Sequence, residues 1–153
     1  MTRTLILVLF IVLLTAALRW PDSDDVSGTW KRTSMVLVDA TGKTTDMMEM
    51  MSRTMPCTKD ITYTFLSNGQ MKTNVPDACG TIKKTIESMN ASGRWVQNGR
   101  KLIVTTTLKN IPPANYDLNV QSNIMTWVFN YADNPEMTNP TKAKKMTIVY
   151  QRV

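Results

Sequence analysis

The sequence predicts an all-β protein, an eight-stranded antiparallel up-and-down β-barrel. Short runs alternate apolar and polar residues, as half-buried strands do. Two Asn-Gly pairs, Asn68-Gly69 and Asn98-Gly99, separate such runs as hairpin turns do. No helical pattern is long enough to cross over a parallel sheet. Closure into a barrel would remove exposed edges, whereas an open β-sandwich is the competing all-β arrangement.

The first half of the domain contributes three predicted strands. One runs from Gly28 to Val38, and a hairpin pairs Ile61–Leu66 with Met71–Val75. We expect a type I′ turn at Asn68-Gly69, with positive φ at both central residues. The methionine-rich segment Thr44–Met55 predicts a short helix or a mobile flap.

The second half predicts one short helix and five strands. Apolar residues recur at helical spacing from Thr81 to Met89. The strands form two hairpins and a final strand: Gly93–Val96 with Lys101–Thr107, Tyr116–Val120 with Ile124–Tyr131, and Lys145–Arg152.

The N-terminus has the pattern of a secretory signal over residues 1–17. Arg3 precedes an unbroken apolar run, Leu5–Leu14, and small residues follow up to Ala17. The run is short for a membrane span, which needs about 20 residues. An uncleaved anchor is the alternative, because Arg19 and Trp20 follow closely. Residues 18–27 are a predicted flexible lead-in, and residues 28–153 form the barrel. The expected location is periplasmic, extracellular or associated with the cell envelope.

The only two cysteines, Cys57 and Cys79, bracket the first predicted hairpin. Export would place them in an oxidising compartment, where a disulfide is the default state. A zinc site would need further ligands, and the chain has neither a histidine nor a second cysteine pair. A bridge across this loop would stabilise the fold by roughly 3 kcal/mol.

Composition argues against nucleic-acid binding, enzymatic activity and a metal or other cofactor. The net charge is +6, but the basic residues are scattered instead of forming a stripe with aromatic residues. They predict a solvated basic surface or contact with anionic lipids or polymers of the cell envelope. Without histidine, the most common general base and metal ligand is missing.

Six short motifs together resemble the lipocalin-like domains of exported proteins in Bacteroides-type bacteria. The motifs are Gly28-Thr29-Trp30-Lys31, Cys57-Thr58-Lys59-Asp60, Phe65-Leu66-Ser67-Asn68-Gly69, Gly93-Arg94-Trp95, Asn98-Gly99 and Tyr150-Gln151-Arg152. The resemblance implies a calyx that is open at one end and binds a small apolar molecule. It also implies that Trp30 plugs the closed end while Arg152 lies across its ring, a cation–π contact.

Seven residues are candidates for a ligand-binding interior, and four methionines are candidates for a lid. The interior candidates are Tyr63, Phe65, Met71, Val104, Leu118, Trp127 and Phe129. The same residues would serve equally as a packed core. The lid candidates are Met47, Met48, Met50 and Met51; a helix packed on the barrel and a Cu(I)-binding thioether cluster are the alternatives. We expect a small apolar molecule as partner. The alternative function is a protein-interaction or inhibitor module with a filled barrel.

Overall fold

The computed structural model describes residues 25–153, so the predicted leader (1–17) and the lead-in up to residue 24 lie outside the described residues. In this range nine strands form: β1 (Gly28–Asp39), β2 (Thr44–Asp46), β3 (Thr62–Phe65), β4 (Met71–Asn74), β5 (Arg94–Asn98), β6 (Lys101–Thr105), β7 (Ala114–Gln121), β8 (Ile124–Asn130) and β9 (Ala143–Arg152). The helices are α1 (Met47–Thr54) and α2 (Ile82–Asn90).

Eight strands form one antiparallel sheet that nearly closes into a barrel, as predicted. Their order is β4-β3-β1-β9-β8-β7-β6-β5, and the short β2 pairs only with β1. The two ends of the sheet meet at a bridge between Gln70 and Arg94. Two backbone bonds support this seam, from the Met71 amide to the Gly93 carbonyl at 3.0 Å and from the Trp95 amide to the Gly69 carbonyl at 2.8 Å.

Both Asn-Gly hairpins form, but the prediction of a type I′ turn was wrong. Gly69 has φ +79° whereas Asn68 has no positive φ. The Gly69 amide donates to the Leu66 carbonyl at 2.9 Å, which gives a three-residue loop with glycine in the bulge position. In the second hairpin Asn98 pairs with Lys101, so the loop is Gly99-Arg100. Strand register therefore assigns glycine, and not asparagine, to the positive-φ position.

The two helices are short and lie outside the barrel wall. Asp46 caps α1, because its carboxylate accepts the Glu49 amide at 2.8 Å. Helix α1 packs on β1, and α2 packs on β4. Neither helix of residues 25–153 is long and apolar enough to cross a membrane.

The predicted disulfide between Cys57 and Cys79 is present, with Cα atoms 5.3 Å apart. Cys57 precedes β3 and Cys79 follows β4, so the bridge joins the outer ends of this hairpin. Cys79 packs with Ile61 and Val75 in a small core that α2 covers through Ile82 and Ile86. The disulfide fits a protein outside the reducing cytoplasm.

Candidate functional site

Trp30 and Arg152 pack against each other at one end of the barrel. The Trp30 side chain is 0% exposed, and its indole nitrogen donates to the Val26 carbonyl at 2.8 Å. The Arg152 guanidinium carbon lies 4.1 Å from the Trp30 ring centroid, and Nη1 donates to the Ser27 carbonyl at 2.8 Å. The predicted cation–π contact is thus present. Val26, within the predicted lead-in, is fully buried and belongs to the core.

Gly28 makes this packing sterically feasible. A Cβ atom at Gly28 would lie 2.5 Å from an Arg152 guanidinium nitrogen, and its φ is +123°. The positive φ favours glycine at this position, and a Cβ atom would also displace the Arg152 guanidinium from its contact with Trp30. The Gly-x-Trp pattern is therefore explained by the packing of Arg152 across the barrel floor.

Toward the opposite end of the barrel, two inward side chains are partly exposed. Along β6, Leu102 is buried whereas the next inward residue, Val104, is partly exposed. Along β7, Leu118 is buried whereas Tyr116 is partly exposed. Phe129 on β8 is an exception, because Tyr131 packs edge-on against it at 4.9 Å. Ala114, two residues beyond Tyr116 on the same face, is buried again, so partial exposure on this face of β7 is confined to Tyr116.

A charged side chain, Arg32, lies on the inward face of β1 just before a β-bulge. Trp30 pairs with Arg152, and Arg32 pairs with the buried Tyr150, so Arg32 shares the inward face. The register then shifts between Arg32 and Ser34, and Met35 pairs with Ile148. The extra residue brings Met35 back onto the inward face, where it packs on the core.

Arg32 belongs to a connected group of side chains that we call the interior polar cluster, which comprises Arg32, Tyr63, Thr73, Trp127 and Tyr150. The Arg32 guanidinium carbon lies 5.6 Å from the Tyr63 ring centroid. Tyr63 meets Tyr150 edge-on at 5.8 Å, and Tyr150 lies 4.9 Å from Trp127. Thr73 on β4 pairs with Tyr63 on β3, so the two side chains lie on the same face of the sheet.

The interior polar cluster contains three buried polar atoms that have no hydrogen-bond partner among the described residues. They are Arg32 Nε, Thr73 Oγ1 and Trp127 Nε1. Arg32 takes part in none of the ion pairs found within residues 25–153. The one hydrogen bond of its side chain within the described residues is a 3.9 Å contact from Nη1 to the Met35 sulfur. Buried polar groups are normally paired, so this concentration marks a site.

The tyrosines of this region are held in their neutral form. Burial raises the pKa of Tyr116 to about 12. Burial also raises the pKa values of Tyr63 and Tyr150, while the positive charge of Arg32 acts in the opposite direction on both. Neutral phenols can donate hydrogen bonds, and the Arg32 guanidinium lies over the Tyr63 ring.

The structure brings the seven predicted interior residues to one side of the sheet. Phe65, Leu118, Trp127 and Phe129 are buried, and Tyr63, Met71 and Val104 are partly buried against the core. Trp127 touches the rings of Phe65, Tyr116 and Tyr150 at 4.9–5.5 Å. The middle of the barrel is therefore filled with aromatic rings.

Sequence reasoning missed Arg32, Thr73 and Tyr150. Alternation could have found two of them, because Arg32 lies two residues after Trp30 and Tyr150 two residues before Arg152. Thr73 likewise lies two residues after Met71. A search confined to apolar side chains passes over such positions.

The methionine-rich segment forms α1 beside a gap in the barrel wall. β1 pairs with β3 up to Lys31 and with β2 from Val36, which leaves residues 32–35 without a strand neighbour on that edge. An open cleft of about 530 Å³ lies here, lined by Arg32, Met48, Glu49 and neighbouring residues.

The four predicted lid methionines do not share one environment. Met48 is 9% exposed and lines the cleft, whereas Met50 is 51% exposed. Met47 and Met51 are intermediate. The helix thus directs one methionine toward the cleft beside Arg32.

The buried Asn134 provides a contrast to the interior polar cluster. Its carbonyl oxygen accepts the Asn115 amide at 2.8 Å, and its amide nitrogen donates to the carbonyls of Asn130 at 2.8 Å and Asn115 at 3.1 Å. Every polar atom of this side chain is paired, as expected of a structural residue. Arg32 lacks such partners.

Within residues 25–153 no group of three or more Cys, Asp or Glu side chains is arranged to hold a metal ion. Comparison of the chain with known protein families, curated proteins and solved structures finds no match.

Proposed function

We propose that this protein is an exported, lipocalin-like barrel that binds a small, mainly apolar molecule through its open end. The observation that carries the proposal is the interior polar cluster, which leaves three buried polar atoms unpaired inside an aromatic wall. Ligand pockets are typically apolar with a few convergent polar groups of this kind. The disulfide supports export.

The aromatic packing at Trp127 limits where a ligand fits. Rings fill the middle of the barrel, so the bound molecule lies between Trp127 and the open end. Val104 and Tyr116 would line this region, since both face inward and are partly exposed. A ligand of modest size fits this half-barrel better than a long chain.

A titration with N-phenyl-1-naphthylamine, a neutral apolar fluorescent probe, tests the proposal. Val104→Phe narrows the open half and should weaken binding about tenfold. Ile103→Phe is the matched control, because Ile103 pairs with the exposed Val96 on the outer face and its replacement should leave affinity unchanged. Native mass spectrometry of gently purified protein should show a co-purified small molecule.

The alternative function is a protein-interaction module with a filled barrel, which the ring contacts of Trp127 favour. In that case the probe would not bind, or both phenylalanine variants would bind it as tightly as the unaltered protein. Either result would contradict ligand binding in the interior.

A further inference from the structure

We infer that the ligand is an amphiphilic anion, with an oxygen-bearing acidic headgroup at Arg32 and an apolar body in the barrel interior. This inference rests on the proposed function and adds the chemical class of the ligand. It depends on four features of Arg32: its direction, its lack of a counter-ion, its donors and its access to solvent.

The first feature is direction. Register with Tyr150 places Arg32 on the inward face, and the bulge at Thr33 keeps Met35 on that face as well. The guanidinium lies over the Tyr63 ring and donates toward the Met35 sulfur. The guanidinium therefore lies on the inward face of β1, at the gap in the wall beside α1.

The second feature is the missing counter-ion. The carboxylates lining the neighbouring cleft have other partners: Asp60 pairs with Lys31, Glu49 with Arg53, and Asp46 caps α1. None of them bonds to Arg32. A guanidinium that is partly withdrawn from water and has no carboxylate partner favours an anion from outside the chain.

The third feature is the set of available donors. The Nε of Arg32 is a donor without a partner among the described residues, and the phenol-bearing rings of Tyr63 and Tyr150 lie nearby. Both tyrosines are linked to Arg32 through ring contacts. A planar guanidinium with neighbouring phenols matches a carboxylate or a related oxyanion, which accepts several hydrogen bonds at once.

The fourth feature is access. Arg32 also lines the open cleft beside α1, where β1 lacks a strand neighbour. A headgroup can therefore reach it without unpacking the end of the barrel at Trp30. Met48 lies in the same cleft and offers a flexible apolar contact beside the headgroup.

Decanoate and 1-decanol, which share the chain length and differ in charge, test the inference by calorimetric titration of the whole protein. The unaltered protein should bind decanoate about tenfold more tightly than 1-decanol, and Arg32→Met should remove this preference while leaving 1-decanol binding intact. Arg94→Met is the control for overall charge, because Arg94 is an exposed arginine on β5; this variant should keep the preference.

Three results would overturn the inference. Equal affinity for the two probes would show that the headgroup is not recognised, although the proposed function would stand. An equal loss of the preference for decanoate in Arg32→Met and Arg94→Met would show that this preference arises from the net positive charge of the protein. Failure of both probes to bind, together with failure of the neutral fluorescent probe, would overturn the proposed function itself.

Discussion

Replacement of Arg32 by methionine is expected to stabilise the protein, although most substitutions of a partly buried residue destabilise. Arg32 Nε is buried without a hydrogen-bond partner among the described residues, which costs about 1–3 kcal/mol. The cation–π contact with Tyr63 at 5.6 Å offsets about 0.5–1 kcal/mol of this cost. Methionine keeps a long apolar stem that packs beside Met35 and Tyr63.

The cost of the unpaired nitrogen exceeds the cation–π gain, so the substitution should raise the free energy of unfolding by about 1 kcal/mol. This corresponds to a rise in Tm of roughly 4 °C for a domain of this length. Urea unfolding followed by tryptophan fluorescence measures the first quantity, and circular dichroism during heating measures the second. Arg94→Met should change stability by less than about 0.5 kcal/mol, because Arg94 is exposed.

A loss of 1 kcal/mol or more in Arg32→Met would refute this reasoning. It would mean that the guanidinium contacts with Tyr63 and the Met35 sulfur outweigh the unpaired nitrogen, so that Arg32 has a structural role. A gain in stability accompanied by weaker decanoate binding is the pattern expected of a residue retained for function at a cost in stability.

Three further predictions concern the scaffold. Replacing Cys57 and Cys79 together with serine should lower the free energy of unfolding by about 3 kcal/mol in urea titrations, since the bridge closes a loop with a sequence separation of 22; an unchanged urea midpoint would contradict this. Trp30→Ala should cost about 3–5 kcal/mol because it empties a fully buried site under Arg152, and an unchanged Tm would refute the plug assignment. Tyr63, Tyr116 and Tyr150 have raised pKa values, so their contribution to stability is complete below pH 10 and is lost as pH rises above 10, through about 12 in the case of Tyr116. Unfolding experiments at pH 8, 10 and 11 should show this decline, and a flat profile would show that the phenols are not shielded.

Local patterns in the sequence were sufficient to predict the strands, the hairpins and the disulfide. Alternation identifies a strand because side chains point to opposite faces, and this relation holds within a few residues. The pairing of Cys57 with Cys79 follows from there being only two cysteines. Trp30 and Arg152 lie in the contact that the motifs at the two ends of the domain implied.

The details that depend on contacts between distant segments could not be predicted in this way. Strand register decided that Gly69 and Gly99, not their asparagine neighbours, take the positive φ. The seam between Gln70 and Arg94 depends on two hairpins that meet only in the folded barrel. In each case the pairing depends on hydrogen bonds between strands, and the local sequence pattern does not indicate which residues will be joined.

For this protein the sequence by itself determined the eight strands of the barrel, the positions of the hairpins and the cysteine pairing, because each depends on short-range geometry. Only the tertiary structure decided which polar groups face inward without partners. The bulge at Thr33 sets the face of Met35 after Arg32, and pairing with β9 sets the face of Arg32 itself. The site proposed here therefore arises from a charged residue in β1 and two tyrosines in β3 and β9, which closure of the barrel brings together.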